Sequence, residues 1–286
     1  MAGEIKSLTS TLDDLLAPIV QEAMFVASER SVMRNLVKNF TVPRNAGKVL
    51  QVPIYPAQTA AALTEADDIT LGAISTSKKD ITLAEAGIGT NVSDLSLNFS
   101  SSNVIADLGK LFGEAVAKKM DQDLTALFSG FSTFALGNAT DTQSEMTAAH
   151  LFAAAAKLKN AGVPGPYFGV FNPASIFNMK KVMTSTFVPQ GNTGVVNEAM
   201  TEGYVGRIAG IDIFESSNVV ADSATSCVNG VFARDALGLA IGNDIQIRTQ
   251  RDESARATEV ICTATYGVSE LHDTYGIKVP TDATIS

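Results

Sequence analysis

NVIADLGKLFGEAVAKKMDQDLTALF, residues Asn103 to Phe128, is the stretch from which the rest of this sequence is best read. Val104, Ile105, Leu108, Leu111, Phe112, Ala115, Val116, Met120, Leu124, Leu127 and Phe128 recur at steps of three and four residues, the period that returns side chains to one side of an α-helix. Asp107, Lys110, Glu114, Lys118, Asp121 and Gln122 fill the opposite side, which is expected to be solvated. Ser101, Ser102 or Asn103 can accept the unpaired amides of the first turn, and Gly130 can take the left-handed conformation that ends a helix. At about 1.5 Å per residue, the helix predicted over 103–128 is roughly 40 Å long, more than an average globular domain needs. It reads as a spine, with Leu108, Phe112 and Leu124 as its core anchors.

Upstream, Lys48 to Ala86 (KVLQVPIYPAQTAAALTEADDITLGAISTSKKDITLAEA) alternates apolar residues at Leu50, Val52 and Ile54 and again at Ile81 and Leu83. The two ends predict paired strands, and the middle is rich in Ala, Thr and Ser with few large apolar residues. A long hairpin with so little to bury is not a core element; it is either floppy or lies on something else. Before it, Leu8 to Ala27 and Ser28 to Phe40 carry narrow helical stripes, with Pro18 interrupting the first. Such an arm can fold back onto its own domain or reach a neighbouring subunit, and both readings stay open. Gly87 to Phe99 returns to alternation and leads into the spine.

Downstream, Thr147 to Asn160 predicts a helix capped by Thr147, with Leu151, Phe152, Ala155 and Leu158 on one face. Tyr167 to Phe171 reads as a buried strand, followed by a helix with Asn172 as cap and Pro173 in its first turn. Thr184 to Gly194 reads as a loop, and Arg207 to Phe214 as a strand among glycines at 203, 206 and 210. Cys227 to Ala240 and Ile245 to Val268 read as strands, the latter carrying a charged turn at Arg251, Asp252, Glu253 and Ser254, and Tyr266 to Pro280 suits a closing strand.

The 286 residues, 45% of them apolar, can bury a substantial core. A formal net charge of -9 without a basic tract argues against a protein that grips or reads nucleic acid through clustered Lys and Arg. No apolar run reaches the roughly 18 to 20 residues of a membrane span, and the acidic, polar start is unlike a signal peptide. A soluble chain made in a cytoplasm is therefore expected. Catalytic chemistry finds little to build on: His150 and His272 are the only histidines, and each is expected to be structural or at the surface. Cys227 and Cys262 sit in apolar strand-like contexts and are expected to be small buried thiols. The glycine groups at Gly87 to Gly89 and Gly203 to Gly210 fit neither a phosphate loop nor a dinucleotide fingerprint and read as turns. No metal or cofactor is expected.

The order of these elements resembles the major capsid protein of tailed double-stranded DNA phages, the Hong Kong 97-type fold of the phage capsid family. The local likenesses are the spine helix, FGVFNPASIFNMKKVM, EGYVGRIAGIDIFESSNV and the ending RATEVICTATYGVSELHDTYGIKVP. The resemblance implies an α+β chain with an N-terminal arm (1–47), an extended loop (48–86), a peripheral domain (87–145 and 245–286) holding the spine, and an axial α/β domain (146–244). It implies that the extended loop lies across a neighbouring subunit, and that hexamers and pentamers close an icosahedral shell around DNA, without sequence-specific binding. That shell is expected in the virion, assembled in the host bacterial cytoplasm. The candidate inter-subunit residues are Arg30 and Arg34 of the arm, Asp67, Asp68, Lys78 and Lys79 of the loop, and Arg251, Asp252 and Glu253 near a three-fold contact. A scaffolding protein, a portal and a decoration protein are the further partners it implies.

Some family members join a Lys of the loop to an Asn with a Glu as base. Lys78 or Lys79 matches the first and Glu270 the last, but no Asn follows Asn243, so a non-covalent shell is expected. The nearest rival is an encapsulin-like nanocompartment that encloses cargo enzymes; an α/β enzyme using residues 146–244 is more remote.

Overall fold

The computed structural model describes residues 31–43, 47–56, 58, 60, 62, 68, 73–94, 104–136, 144–186, 206–219 and 226–284. A single helical turn, α1 (Met33–Leu36), leads into β1 (Lys38–Thr41), and β2 (Val49–Ile54) and β3 (Ser77–Thr82) form a hairpin. β4 (Ala84–Ser93) precedes the long α2 (Val104–Ala126), prolonged by a 3-10 turn at Leu127–Gly130. There follow α3 (Ala148–Asn160), β5 (Tyr167–Phe171), α4 (Pro173–Thr186), β6 (Arg207–Ile208), β7 (Ile211–Glu215), β8 (Ser226–Ala233), β9 (Leu237–Asp252), β10 (Ala257–Glu270) and β11 (Gly276–Asp282).

Two sheets divide the work. A four-stranded sheet in the order β1-β9-β10-β4 carries α2 on one face, and a five-stranded sheet in the order β11-β8-β5-β7-β6 carries α3 and α4. Phe112, Val116, Met120 and Leu124 of α2 bury against Leu239, Ile247, Val260 and Cys262 of the first sheet, with Leu108 only partly covered. The burial of these side chains from water holds the helix to its sheet. Two members of α2 depart from their predicted sides: Leu111 is 59% exposed, and Asp121, expected in solvent, is fully buried where α1 and residues 216–219 cross the helix.

The helix predicted over Ser28 to Phe40 is corrected. Among its described residues, 31–40, only Met33–Leu36 is helical, and Lys38–Thr41 instead pairs in parallel with β9, Lys38 opposite Gly238 and Thr41 opposite Ile241. The free edge of β9 offers a ladder of backbone partners, which outweighs the weak helix preference of a short segment. Met33 and Val37 are fully buried against α2 and its sheet, so from Ser31 onward the arm packs on its own subunit. The stripe from Leu8 to Ile19 lies outside the described residues.

The hairpin is buried at its base alone. Leu50 pairs with Ile81, and Ile81 and Leu83 join Val42, Ala240 and Leu271 in a small core of their own. Beyond the base, Tyr55 and Ile74 are exposed. In α3 the inward residues are Leu151, Ala154, Ala155 and Leu158, while Phe152, expected among them, is exposed. The strand predicted over Arg207 to Phe214 is broken into β6 and β7 by Ala209 (φ 55) and Gly210 (φ 88), a left-handed pair that turns the chain back on itself. The division expected at 244/245 falls inside β9, and the closing strand β11 joins the five-stranded sheet beside β8 rather than the sheet of α2.

Where the two sheets meet, Phe128 is fully buried, its ring 5.5 Å from that of Phe232 and 6.2 Å from that of Phe131. Gly230 of β8 makes room for it: a β-carbon there would lie 2.5 Å from the Phe128 ring.

Candidate subunit interface

Among the described residues no three His, Cys, Asp or Glu side chains gather as metal ligands, and no helix is long and apolar enough to cross a membrane. His150 completes the cap of α3, its Nδ1 accepting the Thr147 N–H at 3.2 Å, and His272 stacks on Tyr275 with centroids 4.6 Å apart. Burial pushes the Cys262 thiol up to about 11, far from a reactive thiolate, and both cysteines are free and buried.

Arg251, near the end of β9, grips Asp94 at the end of β4 with two parallel bonds of 2.5 and 2.6 Å. This bidentate pair holds the Asp94 carboxyl below the usual carboxylate value and keeps the guanidinium firmly charged. Asp252 accepts the Ser254 N–H at 3.0 Å, the Ser254 hydroxyl at 2.7 Å and the Ala255 N–H at 3.1 Å, so it folds its own turn. Glu253 stays exposed and takes Arg251 Nε at 3.4 Å. All three candidates at this tip thus bind within their own chain, Glu253 being the most exposed of them. Arg34 is likewise bound within its chain, to Asp244 at 3.1 Å, and Lys38 pairs with Asp235 at 2.8 Å. Asp68, Lys78 and Lys79 are exposed; Arg30 and Asp67 lie outside the described residues.

Lys79 stands opposite Val52 in the hairpin, and its charge reaches Glu270 and His272. Burial raises the pKa of Glu270, Asp273 adds to this and Lys79 opposes it. The carboxylate lies against the end of the spine, 3.0 Å from where a β-carbon on Gly130 would be. On the outer face of the β4–β10 pair, Gly87 and Gly89 carry no side chains opposite Thr263 and Ile261, leaving a shallow, open trough lined also by Asn91 and Glu259.

Asp94 and Asp244 were not singled out from the sequence. Their roles depend on the strand register, since Asp94 meets Arg251 only because Ser93 stands opposite Ala257 and Ala257 opposite Asp252. No local signal encodes that register.

The sequence model of a family described as "Phage capsid protein" matches residues 76–279. No curated protein matches the chain significantly in sequence. Among solved structures, it is similar to a structure of Mycobacterium phage Che8, with a TM-score of 0.68 at 19% identity over 87% of this chain and 90% of that one. It is also similar to the capsid of Cyanophage P-SCSP1u (TM-score 0.67, 17% identity, 98% and 91% covered). A virus-like particle from Pyrococcus furiosus matches with a TM-score of 0.62 at 12% identity, over 93% of this chain and 99% of that one.

Proposed function

The chain belongs to the phage capsid protein family, and from that premise we propose that it is the major capsid protein of a tailed phage, assembling as hexamers and pentamers around a double-stranded DNA genome. It is a capsid shell protein with the Hong Kong 97-type fold, structural rather than catalytic, and built into its shell from many copies. The observation that carries the finer reading is the β2–β3 hairpin, a two-stranded element that leaves its subunit beyond Val52 and Lys79 with its apolar residues Tyr55 and Ile74 uncovered. A lone hairpin is marginal in water, so a neighbouring subunit is its natural support.

In this reading the four-stranded sheet with α2 forms the peripheral domain and the five-stranded sheet with α3 and α4 the axial domain. Glu253 lies near a three-fold contact; the loop predicted over 184–194 falls outside the described residues from 187 onward, its first three residues closing α4. The acidic balance of the chain keeps the inner wall from trapping the packaged polyanion. A scaffolding protein would guide assembly, a portal would occupy one vertex, and a decoration protein would sit outside.

Particles carrying this chain, purified and treated with nuclease, are expected to protect double-stranded DNA of uniform length. Particles holding protein cargo and no DNA would instead favour the encapsulin-like reading, which the likeness to the Pyrococcus furiosus virus-like particle keeps in view.

We further propose that subunits are held without covalent links, because no Asn follows Asn243 to meet Lys78 or Lys79 near Glu270. Mature particles boiled in detergent should run as one band near 30.0 kDa. A ladder of linked subunits would sink this.

A further inference from the structure

Among the described residues, Asp121 is the one side chain of the Asp, Glu, Lys and Arg types that is wholly out of water. Its oxygens accept the Ser31 hydroxyl at 2.9 Å, the Val32 N–H at 3.2 Å and the Asn218 amide at 3.3 Å, and the Met33 N–H also bonds to it. Ser31 to Met33 belong to the arm. Asn218 belongs to the segment after β7, which is itself fixed to the five-stranded sheet: the Ser216 N–H donates to Phe171 O at 3.0 Å, and Asn172 Nδ2 donates to Val219 O at 2.9 Å. Thr125, one turn along α2, donates to Asn218 O at 3.1 Å. One carboxylate therefore joins the arm, the spine and the second sheet.

Among the described residues every donor to it is neutral. Arg34 of the arm is bound to Asp244, Asp123 of the spine is bound to Lys119 and Tyr266, and Lys118 is exposed to water. The segment from Ser216 to Val219 carries no charge. A buried charge that lacks a counter-charge is poorly solvated even when hydrogen-bonded, and burial pushes the Asp121 carboxyl above its ordinary value.

We infer that Asp121 is a proton-tightened latch: its uncompensated charge keeps the joint between arm, spine and five-stranded sheet openable at neutral pH, and removing that charge closes it. The sign follows from linkage. A carboxyl held above its unfolded value binds its proton more strongly in the closed joint than in the open one. The extra stability is fully present below the unfolded value of 3.8 and is lost as pH rises through the folded one. The proton has a place to go, because the Ser31 hydroxyl can rotate from donor to acceptor while the other oxygen keeps its amide bonds. The inference is independent of what the shell encloses.

Hydrogen exchange of the full chain, corrected for intrinsic rates, tests it. Amides of residues 31–42 and 217–219 should be better protected near pH 4 than near pH 8, losing that extra protection as pH rises, while those of α3, remote from the joint, should not change in this way. Asp121→Asn should show the acid level of protection at both pH values, and Ser31→Ala should lower it at both. Equal protection of the parent chain at the two pH values overturns the latch. So does an Asp121→Asn chain that exchanges faster than the parent or does not fold, since a neutral isostere is required to fit.

Discussion

Replacing Phe128 by alanine is expected to destabilise the subunit by about 3–5 kcal/mol and to leave insoluble or unassembled chains. The ring is fully buried at the end of the spine and packs on Phe131 and on Phe232 of the five-stranded sheet. Its loss empties the seam between two sheets that cannot move together to refill it, because each is held by its own ladder of strand pairs. Gly230 shows how closely the site is filled, since even one added methyl would have to displace the ring. Denaturant unfolding of soluble material, together with electron microscopy of the assembly products, measures the effect. A Phe128→Ala chain with parental stability that still builds shells would show that the seam is held elsewhere.

Replacing residues 57–74 by a tight turn is expected to have the opposite profile, leaving the subunit folded and abolishing stable shells. The hairpin's own contribution to the core comes from Leu50, Ile81 and Leu83, which pack with Val42, Ala240 and Leu271 and are all retained. Surface changes away from such packing usually alter stability by less than about 0.5 kcal/mol. The melting temperature of the free subunit should therefore stay close to that of the parent, while micrographs should show no closed particles. Intact shells of normal thermal stability would remove the hairpin from the list of contacts between subunits.

Both outcomes turn on a contrast between what neighbouring residues encode and what distant ones impose. The spine was legible because its stripe repeats over seven turns, and Thr147 and Asn172 were legible because a cap acts within three residues of itself: the Ala174 N–H donates to Asn172 Oδ1 at 2.9 Å. The hairpin strands were legible from alternation around Leu50, Val52 and Ile81. The apolar spacing around Val37 and Phe40 suits helix or strand, and β9, some two hundred residues later in the chain, offers the edge that makes Lys38–Thr41 a strand.

By itself, then, the sequence determined the elements whose causes are local: a long amphipathic helix, a hairpin of alternating strands and capped helices. Tertiary structure alone decided which side chains of those elements leave water. Asp121 sits on the polar side of its helix by periodicity, yet it is buried because Ser31 and Asn218, 90 and 97 positions away, are folded over it. Arg251 reaches Asp94 across 157 positions, and β11 finds its place beside β8. Periodicity reports the direction in which a side chain leaves its own backbone. What covers that side is set by register and crossing, which no window of neighbouring residues contains.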